Sequence, residues 1–263
     1  MNILERIGYK LITKYSTRSN FVNYAQRHFQ PLKIFENYPD FTYQRDGLFT
    51  IHSSDFIEEK KFNAAYQLGK ATGSWGDMDI EWRAYIACWA ASIAIKLDGD
   101  FVECGVNKGG LSRTVISYVD LERSNKCFFL FDTYNGLVPE LISNEEKKHD
   151  VGSEIYEDCY EHVLKEFADF KNVKIIKGVV PQSLSTVEID KVAYLSIDMN
   201  CVAPEIAAAE FFWDKLVSKG VMVLDDYGWP GRIEQKKAFD AFATKKGISI
   251  LRLPTGQALI IKP

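Results

Sequence analysis

Three aspartates carry the sharpest chemistry in this sequence: Asp198, which closes the apolar run 192–197, and the pair Asp225-Asp226, which closes the run 221–224. If the two runs are neighbouring strands, three carboxylates meet at one sheet edge, where repulsion raises their pKa values unless a cation joins them. A hard divalent ion with oxygen ligands suits such a set, Mg2+ first and Mn2+ as the other candidate. Zinc does not, since no His or Cys adjoins these acids. The alternative is that Asp225 caps a turn and Asp226 faces water.

A second constellation spans residues 100–119. A short apolar strand ends at Glu103, the chain turns at Gly105 and passes Gly109-Gly110, and Leu111, Val115, Ile116 and Val119 follow at helical spacing. Glycine lets a backbone approach a ligand, and the first turn of the helix offers free N–H groups and partial positive charge. The pattern is E-x-G-x-x-x-G-G, and a carboxylate on the strand end would serve a dinucleotide pyrophosphate poorly. S-adenosylmethionine, a sulfonium zwitterion without phosphate, is not repelled by it. Asp132, closing the run 127–131, stands where an acid accepts the two hydroxyls of a ribose. Its other reading is a turn acid ahead of Thr133-Tyr134-Asn135-Gly136.

The elements that must position these groups alternate strand and helix from residue 100 onward, the signature of a parallel, doubly wound sheet. The runs 127–131, 174–177, 192–197 and 221–224 end in Asp132, Gly178, Asp198 and Asp225-Asp226, on the strand edge where open α/β sheets bind ligands. Runs 248–253 and 258–261, joined through Pro254-Thr-Gly256, read as a closing antiparallel pair. A helix is expected over 79–96, with Arg83 near its start and 73–78 as a flap. Another is expected over 204–219, packed on the sheet. Tyr227 and Trp229, after the acid pair, either stack on a sugar ring or anchor the turn.

At 263 residues and 46% hydrophobic content, the chain accommodates one α/β domain plus an extension. A net charge of −4 argues against nucleic acid as a partner. No run of 18 apolar residues occurs and the start lacks a secretory layout, so a cytoplasmic protein without a transmembrane segment is expected. Five scattered cysteines without a C-x-x-C pair fit reduced thiols. Residues 1–33 carry Arg6, Lys10, Lys14, Arg18, Arg27 and Lys33 against Glu5, interleaved with Ile3, Leu4, Ile7, Leu11 and Ile12. That segment is either an ordinary solvated helical extension or an amphipathic arm for a membrane surface or a second protomer, so a homo-oligomer through 1–33 is a candidate. The acidic insert 136–161 reads as a lid over the acceptor, becoming helical near Ser153-Glu154. His149 and His162 on it are alternative bases.

Taken together, Val102-Glu-Cys-Gly-Val-Asn-Lys-Gly-Gly110, Phe131-Asp-Thr-Tyr-Asn-Gly-Leu137, Leu195-Ser-Ile-Asp-Met-Asn200 and Val223-Leu-Asp-Asp-Tyr-Gly228 give residues 81–263 a family likeness. The chain resembles class I S-adenosylmethionine-dependent methyltransferases of the macrocin O-methyltransferase-like group, which alkylate sugar hydroxyls in natural products and surface glycans. The resemblance implies a Rossmann-like methyltransferase sheet over 79–263, mostly parallel with an antiparallel last strand, behind a helical extension over 1–78. It implies a methyl donor lined by Glu103, Gly105, Gly109 and Asp132, joined by Cys104, Lys108, Gly110, Thr133, Gly178 and Val179. It also implies a metal on Asp198, Asp225 and Asp226.

Two positions depart from the pattern: Asn200 stands where the family often has a second acid, and Cys201 where catechol O-methyltransferase has a lysine base. The expected mechanism is metal-dependent methylation of a vicinal diol, with Asp198 taking the proton. The alternatives are a nicotinamide oxidoreductase, which would want the closer G-x-G-x-x-G spacing and no acid triad, and a non-catalytic glycan-binding protein.

Overall fold

The computed structural model describes residues 41–152 and 156–263. The arm expected at 1–33 and the helix start expected at Ser153-Glu154 lie outside the described residues. The chain divides into two units, Met1–Gln44 with Phe49–Ser53, and Arg45–Leu48 with Ser54–Pro263. A short ribbon, β1 (Tyr43–Arg45) and β2 (Leu48–Thr50), turns at Asp46-Gly47, both with positive φ (53° and 76°). An Asp-Gly pair is the preferred two-residue hairpin turn, because its backbone twist matches that of the strands.

In the second unit, α1 (Lys60–Ala71) and α2 (Glu81–Ala94) precede the first long strand. Then come β3 (Asp100–Cys104), α3 (Gly110–Tyr118), β4 (Phe128–Asp132), the short α4 (Asn144–Lys147), α5 (Tyr160–Glu166) and β5 (Val173–Lys177). The chain continues through β6 (Val192–Ile197), α6 (Val202–Trp213), β7 (Leu216–Leu224), α7 (Ile233–Lys246), β8 (Leu251–Arg252) and β9 (Ala258–Ile261). Seven strands form one sheet in the order β5-β4-β3-β6-β7-β9-β8. It is parallel from β5 to β7, and β9 runs antiparallel to both of its neighbours. This is the doubly wound, mostly parallel sheet that the alternation and the resemblance lead one to expect. Strand order reverses between β3 and β6, the switch point at which such sheets open a crevice.

Residue alternation along the strands divides the core. Phe101, Phe128, Leu130, Tyr194 and Val223 face α1, α2 and α3, while Val102, Phe131, Leu195, Ile197 and Leu224 face α6 and α7. Strands buried on both faces read as unbroken apolar runs, which is why β6 is buried at all six positions.

Three differences from the sequence reading have physical causes. The helix expected over 204–219 stops at Trp213, because Val192 N donates to Lys215 O (2.8 Å) and draws the chain into the β7 ladder from Leu216 onward. Helix α7 had no counterpart among the expected elements, although Gln235, Phe239, Phe242 and Ala243 are buried at helical spacing. Residues 54–78, expected within an N-terminal extension, belong to the unit that holds the sheet. Phe62 and Tyr66 of α1 share one core with α2 and α3. Among the described residues no helix is long and apolar enough to cross a membrane.

Backbone pairing continues one residue past the strands and fixes the sheet's carboxyl edge. Gly178 N donates to Asp132 O (2.9 Å), Gly105 N to Phe131 O (2.9 Å), Asp198 N to Cys104 O (2.8 Å) and Asp225 N to Ile197 O (3.0 Å). At the switch point this brings β3 and β6 so close that a Cβ on Gly105 would lie 1.8 Å from Asp198 O, at a φ of +91°. Gly105→Ala therefore loses about 2 kcal/mol or more of stability through backbone displacement. Gly73→Ala, with φ +75° but nothing within 4 Å of the added carbon, loses only about 1 kcal/mol. Denaturant unfolding of the two variants checks the ranking.

Candidate functional site

Above this carboxyl edge lies a cavity of 460 Å3, large enough for a drug-sized ligand. Of the residues expected in the site, Glu103, Gly105, Asp132, Thr133, Gly178, Val179, Asp198, Asp225 and Asp226 line it. Cys104, Lys108, Gly109 and Gly110 do not line it, and each has a packing reason. Cys104 points to the opposite face of the sheet from Glu103, into the α6–α7 core. Lys108 turns toward Glu157 (3.8 Å). Gly109 lies under the Phe167 ring, and a Cβ on Gly110 would meet Trp75 at 2.1 Å.

That last contact explains the flap expected at 73–78. Trp75 sits on the start of α3, Ser74 Oγ accepts from Gly110 N (2.8 Å), and Ser74 O accepts from Asn107 Nδ2 (3.0 Å). Ser74, Trp75 and Met78 close one wall of the cavity.

Asp132 braces the glycine loop. Its Oδ2 accepts from Val106 N (2.6 Å) and Asn107 N (2.8 Å), and its Oδ1 accepts from Tyr134 N (2.7 Å). The carboxylate thus ties the loop after β3 to the turn after β4, while staying half-buried at the cavity wall. Glu103, on the α3 face of β3, is buried and accepts from Ser112 Oγ. Burial, with smaller contributions from Asp225 and Asp132, pushes its carboxyl up to about 8 against the Ser112 hydrogen bond.

The three aspartates converge: one ligand oxygen from each of Asp198, Asp225 and Asp226 lies within 4.8 Å of the others. Burial first, and then Asp225 and Asp226, drive the Asp198 carboxyl well above the usual carboxylate range, and Arg83 offsets part of this. Asp226 is pushed up to about 6, by burial and then by Asp225, against Arg232, Arg83 and Gln235. The sequence reading left the repulsion to a metal ion alone; the fold adds two arginines. Arg83 Nη1 donates to Asp225 Oδ2 (2.7 Å), and Arg232 Nε lies 3.9 Å from Asp226 Oδ2.

Several contributors escaped sequence reasoning. Gln257 Nε2 donates to Asp225 Oδ1 (2.8 Å). Gln235 Nε2 bridges Glu205 Oε1 (2.9 Å) and Asp226 Oδ2 (3.4 Å). Glu205, buried and pushed up to about 8 by burial and Asp226, accepts from Met199 N (3.1 Å) and so steadies the loop after Asp198. A buried-phase glutamine on α7 was the one signal available for them. At the departure positions, Asn200 takes φ +58°, and its Oδ1 accepts from Arg232 Nη2 (2.9 Å). Cys201 is buried and its thiol is pushed up to about 12, mainly by burial, so it is no base. His149 and His162 are exposed and stand outside the cavity lining. Tyr227 is buried with its hydroxyl bonded to Asp240, which resolves it as a turn anchor.

The acidic insert is latched to the site. Ser143 and Glu146 form a capping box on α4, and Glu146 Oε1 accepts from Val202 N (2.7 Å), the first residue of α6, whose own N-cap supplies no side-chain bond. Ile142 and Val151 pack with Cys201 beside this bond, and Leu137, Leu141 and Tyr156 line the cavity.

The profile of macrocin-O-methyltransferase (TylF) matches residues 11–251. The chain belongs to the macrocin O-methyltransferase family. It is accordingly an O-methyltransferase, which sets aside both the dehydrogenase and the non-catalytic reading. Among curated proteins none matches the sequence. Solved structures share the fold. The O-methyltransferase NovP superposes with a TM-score of 0.59 at 21% identity, over 68% of this chain and 79% of its own. CalS11, a TDP-rhamnose 3'-O-methyltransferase of calicheamicin biosynthesis, reaches 0.50 at 12% identity over 80% and 96%. An O-methyltransferase from Bacillus cereus in complex with S-adenosylhomocysteine reaches 0.51 at 10% identity over 79% and 96%.

Two outcomes follow from the buried acids and the latch. A carboxyl whose folded pKa of about 8 exceeds its unfolded value of about 4.3 binds more protons folded than unfolded, so its burial costs nothing at low pH and costs most above the folded pKa. Glu103→Gln and the parent therefore melt alike near pH 4, and the variant gains increasingly as pH rises to about 8; paired melting curves across pH read the difference. Glu146→Ala removes two accepted N–H bonds and costs about 1–2 kcal/mol. Limited proteolysis then cleaves first within the insert.

Proposed function

We propose that this enzyme transfers the methyl group of S-adenosylmethionine to a sugar hydroxyl, with a divalent cation, Mg2+ or Mn2+, on Asp198, Asp225 and Asp226. The observation that carries the reading is that the glycine turn at Gly105 and the acids at Asp198 and Asp225 are consecutive on one sheet edge and face one cavity. The family name and the sugar chemistry of CalS11 support a sugar-bearing acceptor, and the S-adenosylhomocysteine complex of the Bacillus cereus relative supports the donor.

Gly105, without a side chain, lets β3 and β6 close tightly beside the cavity, while Glu103, Thr133, Gly178 and Val179 line the course proposed for the donor. Asp132 holds the loop and keeps its carboxylate edge toward the ribose position. Cys104, Lys108, Gly109 and Gly110 act behind this surface by shaping the turn.

The donor set of three carboxylates, oxygen only and mutually close, fits a hard cation. When bound, such an ion lowers the pKa of a coordinated hydroxyl and orients it. Asp198, the half-buried member that faces the cavity, accepts the acceptor's proton. Positive charge beside it favours the ionised form that this role needs, because burial, Asp225 and Asp226 push its carboxyl well above the usual range. The insert, latched through Glu146, covers the acceptor and keeps water from the methyl group.

The domain comprises residues 54–263 with the turn 45–48, and a cytoplasmic location and assembly through 1–33 complete the proposal. Methyl transfer to a nucleotide-activated or glycosidic deoxysugar is expected to stop in EDTA and return with Mg2+, while calorimetric binding of S-adenosylhomocysteine persists in chelator. Asp198→Ala lowers kcat by about 10^2–10^4-fold. Full turnover in chelator, or in both Asp198→Ala and Asp225→Ala, would refute the cation and the base respectively.

A further inference from the structure

Arg83 stands on the first turn of α2, with 13% of its side chain exposed, and every part of its guanidinium is engaged. Nε donates to Asp46 Oδ2 (2.7 Å) and Nη2 to Asp46 Oδ1 (3.1 Å), the two-pronged geometry that fixes a guanidinium in plane and rotation. Nη1 donates to Asp225 Oδ2 (2.7 Å). The guanidinium carbon lies over the Trp229 ring, 5.2 Å from its centre. Asp46 itself is held at the Asp46-Gly47 turn, with φ 53°, and its side chain is 5% exposed. Trp229 is wedged against Gly256, whose added Cβ would meet its Nε1 at 2.8 Å.

Asp225 is consequently gripped at both oxygens, by Arg83 on Oδ2 and by Gln257 on Oδ1. Asp46, Trp229 and Gln257 do not line the cavity, so whatever they do there passes through Arg83 and Asp225. Stability is a poor reason for the arrangement, because the desolvation of buried ions commonly equals or exceeds their attraction. What the arrangement fixes is direction: Asp225 cannot rotate about its side-chain bonds without breaking a charge-assisted hydrogen bond.

We infer that Arg83 is a positioning residue: aimed by Asp46 and Trp229, it holds the Asp225 carboxylate in the orientation in which it shares a cation with Asp198 and Asp226. This rests on the reading of the three aspartates as a cation site. It assigns the Asp46-Gly47 turn a part in the chemistry although that turn does not line the cavity.

Two variants test it with the full chain. Arg83→Lys keeps the charge but loses the fork. Asp46→Asn leaves every cavity-lining residue in place and removes the anion that aims the guanidinium. Mn2+ binding is read by electron paramagnetic resonance, S-adenosylhomocysteine binding by calorimetry, and folding by circular dichroism. In both variants Mn2+ affinity falls by about 10–100-fold, the usual effect of losing a partner behind a metal ligand. Binding of S-adenosylhomocysteine is unchanged. Methyl transfer shows a raised Mn2+ requirement, with kcat recovered at saturating Mn2+. Unaltered Mn2+ affinity in either folded variant overturns the inference. A parent protein that binds S-adenosylhomocysteine but no Mn2+ overturns the cation reading itself, and this assignment with it.

Discussion

Negative charge in a confined space is the constraint around which this molecule is built. Asp198, Asp225 and Asp226, which line the cavity, put their oxygens within 4.8 Å of one another, and Glu103 and Glu205 lie buried close by. Each carboxylate raises the cost of ionising the next, and burial raises it further. The fold answers with Arg83 and Arg232 and with the amides of Gln235 and Gln257, which satisfy carboxylate oxygens without adding charge. These groups relieve the repulsion only in part, since burial, Asp225 and Asp226 still drive Asp198 well above its ordinary range against the offset from Arg83.

The backbone supplies the precision that side chains alone would lack. Parallel pairing carried one residue past β3, β5, β6 and β7 sets Gly105, Gly178, Asp198 and Asp225 in line, within hydrogen-bond tolerance. The glycine at 105 is a consequence of that pairing: the carbonyl of Asp198 occupies the space that a side chain would need. One contact therefore fixes the glycine turn after β3 and the acid loop after β6 together. The insert after β4 joins the same frame, because Glu146 caps the helix that begins just beyond Asp198, Met199, Asn200 and Cys201. The insert and the start of the helix after the Asp198 loop are thereby joined by a direct hydrogen bond.

Much of this was legible beforehand. Strands buried on both faces must be written as unbroken apolar runs, and the first polar residue after such a run marks where the chain leaves the core. Asp132, Gly178, Asp198 and Asp225 could thus be assigned to one edge from the linear order alone. The helix drawn over 204–219 overran because periodicity does not register a ladder bond such as that from Val192 N to Lys215 O. The glycine pair at 109–110 reads in the sequence as a ligand turn, and in the fold the rings of Phe167 and Trp75 stand where its side chains would be. A missing Cβ is the same signal in either case, and only the neighbour distinguishes them.

By itself the sequence determined the doubly wound sheet, the strand-end acids and the glycine turn, because these follow from local hydrophobic pattern and from the short list of residues that tolerate a tight turn. Tertiary structure alone decided which charges stand beside those acids. Asp46, Arg83, Asp225 and Gln257 lie far apart along the chain and belong to no common motif, yet they form one hydrogen-bonded group. Their meeting depends on how the β1–β2 turn and α2 pack against the carboxyl edge, and that packing is set by the whole core, not by any local stretch of residues.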